Sequence, residues 1–391
     1  MNSPCIFKKI FFGTFLSAAL ISAAATAGTE AKNAVQLPEV EKNYDVKGIG
    51  KVNVAYTDVQ SAPLSLEGLP WLKENKGAYI RIPARLTQAQ TNRSIYQRLR
   101  HHTSGVALRF RSDSPVIMLR GELAYNSTMA HMTRVGSAGF DSYYRAASGN
   151  MEYQRSFLPG EAQKEFKIII GYNPGKGMCD WQINFPLYGG VKRVEVGVVE
   201  GSKLEAPTPH KIKKPILFYG SSITQGGCAS RPGMMYSALL CRALDAELIS
   251  LGFSGSAKGE PAMAEAIAEL DLAAFVYDYD YNAPTPEHLA KTHEKFFRII
   301  RAKHPELPIV ILSKINSPTS NSTVKRRNII RKTYENAVAK GDKNVYFLDG
   351  SKFFGDVDRY ECTVDGTHPN DLGFYRMYQG VLPTLQKILL K

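Results

Sequence analysis

Two kinds of hydrophobic pattern divide this chain of 391 residues. From residue 50 to about residue 205, apolar and polar positions alternate, as around Val106, Leu108 and Phe110. A period of two is typical of half-buried antiparallel strands. The pattern predicts further strands, separated by turn residues, at residues 77–83, 116–121, 141–146, 151–156 and 165–171. Many short strands without a convincing helix predict a β-sandwich.

The pattern changes from about residue 211 onward. Continuous apolar runs, typical of buried parallel strands, occupy residues 215–219, 247–251, 272–277, 308–312 and 344–348. Stretches with helical spacing lie between them, at residues 236–244, 287–303 and 326–339. Strands that alternate with helices predict an α/β fold with a doubly wound parallel sheet of about five strands. Residues 200–214, with two prolines and four lysines, are the predicted linker.

The first 27 residues have the features of a secretory signal peptide. Lys8 and Lys9 precede an apolar stretch rich in small residues, and residues 25–27 read Ala-Thr-Ala, a typical cleavage site. We therefore predict a signal peptide at 1–27, a β-sandwich domain at 28–205 and an α/β domain at 213–391. The protein is then exported, periplasmic or extracellular, with no stable membrane insertion after cleavage. An uncleaved N-terminal anchor helix is the alternative.

The chain is basic, because 49 lysines and arginines outnumber 36 acidic residues and give a formal charge of +13. Such a charge favours binding to an acidic glycan, an anionic surface or nucleic acid. The alternative is a basic solvated surface that binds no such partner. Export argues against nucleic acid. Four cysteines beyond the signal peptide allow three complete disulfide pairings. No cysteine or histidine spacing indicates a metal site, and His101, His102 and His131 are interpreted as structural.

Catalytic residue types follow two of the predicted parallel strands, where ligands bind in such sheets. Ser222 lies in the segment Gly-Ser-Ser-Ile-Thr-Gln-Gly, directly after the first strand. A serine at a strand-to-helix turn exposes its hydroxyl group. Asp365 and His368, in the segment Asp-Gly-Thr-His-Pro, follow the last strand. An aspartate placed three residues before a histidine can orient the imidazole, whose Nε2 then takes a proton from a serine.

Two further loops contain candidate hydrogen-bond donors. Gly255 follows the second strand and Asn282 follows the third. A backbone N–H at a glycine and a side-chain amide are donor types that a tetrahedral oxyanion needs. Gln225 and Arg231 follow Ser222 closely and are candidate substrate contacts.

The order of these residues resembles that of the SGNH/GDSL hydrolases, with serine, glycine and asparagine after strands one to three. Aspartate and histidine after strand five complete the resemblance, which covers about residues 213–391 and implies a three-layer, flavodoxin-like α/β fold. It implies a serine esterase with Ser222 as nucleophile, His368 as general base and acid, and Asp365 orienting His368. The Ser222 N–H, the Gly255 N–H and the Asn282 side chain would form the oxyanion hole.

Two positions depart from the family pattern. Ser221 stands where the family usually has aspartate, which leaves the nucleophile intact. Asn282 is followed by Ala283 in place of aspartate and has no glycine two residues before it.

The first half is similar to the sandwich domain that precedes some SGNH hydrolases and is named for a G-x-D-L-Y motif. Residues 139–143 read Gly-Phe-Asp-Ser-Tyr, with Ser142 in place of leucine, and residues 185–191 look like a later segment of the same domain. The resemblance implies one esterase architecture, common among exported carbohydrate esterases.

These features predict an exported serine esterase that removes O-acetyl groups from a carbohydrate without a metal or organic cofactor. The choice of acetyl follows from the resemblance. A lipase, phospholipase or thioesterase using the same residues is one alternative and predicts a long apolar acyl channel. A non-catalytic glycan-binding protein is another, against which the joint presence of Ser222, Asp365 and His368 argues.

Overall fold

The first half of the chain folds into two antiparallel sheets in the computed structural model, which describes residues 39–175, 177–315 and 320–390. The strands are β1 Glu39–Val46, β2 Gly50–Asp58, β3 Ser65–Glu67, β4 Ala107–Ser112, β5 Val116–Leu123, β6 Phe140–Arg145, β7 Met151–Phe157, β8 Glu165–Tyr172, β9 Cys179–Asn184, β10 Val191–Val199 and β11 Leu204–Glu205. One sheet has the order β1-β2-β10-β5-β8; the other has the order β11-β4-β9-β6-β7, with β3 paired to β4. The predicted signal peptide, residues 1–27, lies outside the described residues.

The two sheets enclose one hydrophobic core. Leu119 and Val196 from the first sheet and Phe110 and Trp181 from the second are fully buried in the same cluster. Phe110 and Trp181 are directly opposite each other in the register between β4 and β9. Alternating positions of both sheets thus point inward, as strand geometry requires, and the predicted β-sandwich is confirmed.

One predicted strand is wrong. Residues 77–83 have an irregular backbone, because Gly77 has left-handed geometry (φ +80°) and the Ile80 N–H donates within the segment to the Ala78 carbonyl. A backbone group used in a local turn cannot join a strand ladder. Two short helices, α1 Arg93–Gln97 and α2 Arg134–Ala138, also lie in this half, for which the pattern predicts none.

The second half is the predicted α/β fold. Its parallel strands are β12 Ile212–Gly220, β13 Ala246–Gly252, β14 Ala274–Asp278, β15 Ile309–Leu312 and β16 Val345–Leu348. Its helices are α3 Tyr236–Leu244, α4 Pro261–Ile267, α5 Pro286–Lys303, α6 Asn321–Ala339 and α7 Asp371–Leu389. The sheet order is β13-β12-β14-β15-β16, and all four strand pairs are parallel.

Helices cover both faces of this sheet. Leu217 and Tyr219 of β12 pack in the cluster that contains residues of α4, α5 and α6. Ile216 and Phe218, the alternate positions of the same strand, pack in the cluster that contains residues of α3 and α7. A strand buried on both faces is apolar throughout, which explains the continuous hydrophobic run that predicts it.

The sandwich and the α/β part also pack on each other. Trp71, Ile82 and Ile95, from the chain between β3 and β4, are buried in the cluster on the α4, α5 and α6 side of the parallel sheet. Leu187 and Tyr188, just before β10, are buried in the cluster on the opposite side. The first half of the chain therefore contributes side chains to both layers next to the parallel sheet.

The four cysteines in the described part of the chain are Cys179, Cys228, Cys241 and Cys362, and none forms a disulfide there. Across the described ranges, no helix combines the length and apolar character that crossing a bilayer requires.

Candidate active site

The loop that contains Ser222 lies directly on the ends of three parallel strands. β12 ends at Gly220, where a Cβ atom would contact Thr224 and come within 2.5 Å of the Asp278 carbonyl oxygen. β13 ends at Gly252, where a Cβ atom would collide with the backbone of Gln225. Glycine at both strand ends therefore lets the loop after β12 sit close to the sheet, with Ser222 at its carboxyl edge.

A buried carboxyl group supports this loop from below. Asp278, the last residue of β14, accepts hydrogen bonds at one oxygen from the Thr224 hydroxyl (2.8 Å) and the Tyr236 hydroxyl (3.1 Å). Burial raises the pKa of Asp278 to about 7, against the opposing effect of these two hydrogen bonds. Sequence reasoning does not identify this network, although a polar residue at the end of an apolar strand is the signal that marks it.

Asp278 makes stability depend on pH. The folded pKa lies above the unfolded value, so the folded protein binds an extra proton between about pH 4 and pH 7, and stability falls as pH rises through that range. Asp278→Asn keeps one acceptor oxygen but cannot ionise. We expect the free energy of unfolding of the variant, relative to that of wild type, to rise by on the order of 2 kcal/mol from pH 5 to pH 8. Urea unfolding of both proteins at the two pH values measures this gain, and a difference that does not change with pH contradicts the expectation.

Ser222, His368 and Asp365 form one continuous hydrogen-bonded line. The Ser222 hydroxyl lies 2.9 Å from Nε2 of His368, and Nδ1 of His368 lies 2.7 Å from Oδ2 of Asp365. The carboxylate selects the tautomer with a proton on Nδ1, and this leaves the lone pair of Nε2 facing the serine hydroxyl. Ser222 is 8% exposed, so its hydroxyl is shielded but reachable.

The loop that contains His368 is held by backbone bonds on both sides of the imidazole. The Val364 N–H donates to the His368 carbonyl (3.0 Å), and the Asn370 N–H donates to the Cys362 carbonyl (3.0 Å). Asp365 also accepts the backbone N–H of His368 at 2.7 Å. Partial burial acts to raise the pKa of Asp365. Hydrogen bonds from the backbone and ring of His368 and from the Thr367 N–H outweigh this effect and lower the pKa to about 2. The carboxylate therefore stays ionised over the pH range of ordinary enzymes.

Two backbone donors predicted for the oxyanion hole, the N–H groups of Ser222 and Gly255, have no hydrogen-bond partner among the described residues. Gly255 has left-handed geometry (φ +65°), and the space where its side chain would stand is open. The Asn282 amide donates one proton to the Phe253 carbonyl at 2.8 Å. This bond holds Asn282 against the Gly255 loop and leaves its second amide proton unassigned.

The structure places the two predicted substrate contacts, Gln225 and Arg231, against other parts of the chain. Gln225 is fully buried, and its side chain bonds to Nδ1 of His102 (2.9 Å), the Leu187 carbonyl (3.1 Å) and the Ser254 N–H (2.9 Å). All its polar atoms are thus used to position the loop beside Ser222. The predicted substrate contact by Gln225 is corrected to a positioning role, because no part of its side chain is accessible.

Arg231 instead joins the α/β part to the sandwich. Its guanidinium donates to Oδ2 of Asp141 at 2.9 Å and to the Tyr143 hydroxyl, and it lies 4.0 Å from the centre of the Tyr153 ring. Asp141 is fully buried and also accepts the Gly233 N–H at 2.8 Å. The aspartate and tyrosine of the Gly-Phe-Asp-Ser-Tyr segment are therefore used to bind the loop that follows Ser222. The predicted substrate contact by Arg231 stays a prediction.

One group of side chains among the described residues has the donor chemistry for a metal ion. His131, Cys228 and His368 each place a ligand atom within 4.8 Å of the other two. Cys228 is buried and has left-handed geometry (φ +77°), and its thiol pKa is raised to about 12 by burial and then by Asp365. A soft cation would have to displace the thiol proton and share Nε2 or Nδ1 of His368.

Comparisons with known proteins agree with this fold. Residues 213–386 match the GDSL-like lipase/acylhydrolase family, and residues 54–204 match the N-terminal domain of SGNH-hydrolase-type esterases. No curated protein sequence matches the chain.

Three solved structures share the architecture. A Bacteroides ovatus ATCC 8483 protein described as a GDSL-like lipase has 30% identity and a TM-score of 0.75, with 86% of this chain and 98% of that chain covered. The salicylyl-acyltransferase SsfX3 of a tetracycline biosynthetic pathway has 22% identity and a TM-score of 0.72, with coverage of 86% and 99%. A family two carbohydrate esterase from Cellvibrio japonicus has 14% identity and a TM-score of 0.57, with coverage of 86% and 98%.

The sandwich, the three-layer α/β fold and the hydrogen-bonded serine, histidine and aspartate define an SGNH-type ester hydrolase. The chain belongs to the GDSL-like lipase/acylhydrolase family and has that family's G-x-D-L-Y type of N-terminal domain.

Proposed function

We propose that this protein is an exported serine esterase that removes O-acetyl groups from a carbohydrate through an acyl-enzyme on Ser222. The observation that carries the proposal is the line of hydrogen bonds from Ser222 through His368 to Asp365, at 2.9 and 2.7 Å. Proton transfer from a nucleophile requires this distance and this tautomer.

In the proposed mechanism, the Ser222 oxygen attacks the ester carbonyl while Nε2 of His368 takes the hydroxyl proton. The N–H groups of Ser222 and Gly255, both unused among the described residues, donate to the developing oxyanion. The imidazolium then protonates the sugar oxygen as the bond from acyl carbon to sugar oxygen breaks. Water, activated by the same Nε2, hydrolyses the acyl-enzyme and releases the acid. Asp365 stays ionised throughout and stabilises the imidazolium.

A carbohydrate substrate is supported by two features. The sandwich contributes Tyr188 and His131 close to the serine, so the site is walled by both halves of the chain. The Cellvibrio japonicus protein, whose fold this chain shares, is a carbohydrate esterase. The predicted signal peptide adds export, which suits a polymer outside the cell.

Ester chain length separates the proposal from the lipase alternative. We would assay residues 28–391 on p-nitrophenyl acetate, butyrate and octanoate. Activity that is highest on acetate and falls with chain length, followed by acetate release from acetylated glycans, supports a carbohydrate acetylesterase. Preference for octanoate supports a lipase. No hydrolysis of any ester rejects the proposed function in favour of a glycan-binding protein.

Asn282 has an expected role that a single substitution tests. If its free amide proton completes the oxyanion hole, Asn282→Ala lowers kcat by about 10²-fold with little change in KM, because the contact exists only in the transition state. Steady-state kinetics on p-nitrophenyl acetate measure both constants. A change in KM alone, or no change, assigns Asn282 to holding the Phe253 carbonyl and leaves the oxyanion hole to backbone donors.

The His131, Cys228 and His368 group predicts inhibition by soft cations. We expect Zn²⁺ or Cd²⁺ to inhibit hydrolysis reversibly, because an ion held there occupies the imidazole that must accept the serine proton. His131→Ala should retain activity and require at least about tenfold more metal for half inhibition, since one of three ligands is lost. Titration with Zn²⁺ followed by EDTA measures this, and an unchanged sensitivity of the variant contradicts a site at these three residues.

A further inference from the structure

A cleft of about 520 Å³ opens beside the candidate active site. Its walls include α1 and the loop at residues 127–129, and Tyr188 and Ser254 also line it. This volume is within the range of sites that hold small ligands. A cleft of this size can accept a sugar unit next to the one whose ester is cleaved.

Two residues of the cleft lining, Tyr188 and Ser254, lie next to the catalytic residues. A methyl group added at Gly227 would lie 2.8 Å from the Tyr188 hydroxyl and 3.5 Å from Cδ2 of His368. Ser254 immediately precedes Gly255, whose unused N–H is a proposed oxyanion donor. A ligand in the cleft would therefore reach the site of acyl transfer within the length of a short oligosaccharide.

The charge of the cleft is positive. Arg93 and Arg98 both line it and are exposed, and its lining residues include no aspartate or glutamate. Neither arginine has a carboxylate within 4.0 Å in the described part of the chain; Nε of Arg93 bonds to the side chain of Gln97. Burial, and then the charges of Arg81 and Arg98, lower the pKa of His102 at the cleft wall to about 3.

We propose that the cleft binds an anionic sugar unit, carboxylated or sulfated, next to the acetylated unit, so that the esterase acts on an acidic glycan. The inference rests on the proposed function and adds the class of polymer. A guanidinium presents a planar fork of donors that matches the oxygens of a carboxylate or sulfate. The excess of 49 basic over 36 acidic residues draws an acidic polymer toward the protein from a distance.

The test compares two substrates that differ only in charge. Acetylated oligogalacturonate and the same oligomer with methyl-esterified carboxyl groups present identical acetyl esters. We expect kcat/KM to be at least about tenfold higher on the free acid, with the preference falling as salt increases. Arg93→Gln with Arg98→Gln should bring the ratio near one. Lys291→Gln with Lys295→Gln removes the same charge from the exposed face of α5 and should leave the ratio unchanged.

A competition experiment tests the inference even if the enzyme does not cleave the acetyl ester at the position where this oligomer has it. Unacetylated oligogalacturonate and a sulfated oligosaccharide are added to p-nitrophenyl acetate assays, with the methyl-esterified oligomer as the neutral reference. If only one of the two anionic oligomers inhibits, it identifies the anion as a carboxylate or as a sulfate. Equal rates on both substrates, with no anion competing better than the neutral oligomer, overturn the acidic-glycan inference while leaving the esterase intact. Absence of p-nitrophenyl acetate hydrolysis by wild type rejects the proposed function itself.

Discussion

Ser222→Ala is expected to lower kcat by about 10⁴- to 10⁶-fold or to the uncatalysed background, whichever is reached first. The loss follows from the geometry, because the Ser222 hydroxyl lies 2.9 Å from Nε2 of His368. Without the hydroxyl no acyl-enzyme forms, and only the donors of the oxyanion hole act on the ester. Steady-state hydrolysis of p-nitrophenyl acetate measures the loss, and a fluorophosphonate probe should label wild type and not the variant.

Ser221 provides the matched control, since it is the adjacent serine in the same loop. Its hydroxyl oxygen accepts the Ile223 N–H at 3.2 Å, and the residue is 1% exposed, so it shapes the turn without facing the imidazole. Ser221→Ala should keep probe labelling and lose less than about tenfold in kcat. If Ser221→Ala abolished labelling and Ser222→Ala retained it, the assignment of the nucleophile would be wrong.

Strong periodicity explains which elements the sequence predicts. Helix α3 has the predicted bounds, Tyr236–Leu244, and α5 begins one residue earlier than predicted. In α5 the Thr285 side chain caps the N-terminus and Pro286 occupies the first turn, which are local signals. Helix α7 has no prediction, because Gly380 and Pro383 lie inside it and lower its intrinsic propensity. Packing of its buried face supplies the stability that its sequence lacks.

For the candidate site too, the sequence predicts the residues that lie in short local segments and misses the contacts between distant parts of the chain. Ser222, Asp365 and His368 lie in short segments at strand ends, and the structure brings their atoms within hydrogen-bond distance. Gln225 and Arg231 are near Ser222 in sequence, but partners of both lie in the first half of the chain, so proximity in the chain does not show what they contact. Contacts between residues that are 90 or 123 positions apart leave no mark in a single sequence.

Arg81 makes contacts of this kind. It connects the first half of the chain to the loop that contains Gly255. It is fully buried, and its guanidinium donates to the carbonyls of Ser250 (2.8 Å), Gly252 (2.9 Å) and Leu99 (2.9 Å). It also lies 4.7 Å from the centre of the Phe253 ring. The end of β13 and the start of the loop that contains Gly255 are therefore held by one side chain from residues 77–83.

Arg81→Met should therefore affect stability more than any surface substitution. Removing the cation relieves the cost of burying a charge. It also takes a donor from three buried carbonyls: that of Leu99 keeps the His102 N–H, and those of Ser250 and Gly252 lose the arginine donor at about 1–3 kcal/mol each. The second effect is larger, and we expect a net loss of about 3 kcal/mol. The folded fraction should also lose about tenfold in kcat, because the Gly255 N–H shifts relative to Ser222.

Urea unfolding and p-nitrophenyl acetate kinetics test both expectations on Arg81→Met, with Arg85→Met as the matched control. Arg85 lies on the same segment but is exposed, with Glu74 and Glu269 as its partners, and such surface pairs contribute at most about 1 kcal/mol. Equal destabilisation by the two variants would show that Arg81 contributes no more than a surface ion pair. A large loss of stability with unchanged kcat would separate the roles, because the loop that contains Gly255 would then hold its geometry through its other bonds, those to Gln225 and Asn282.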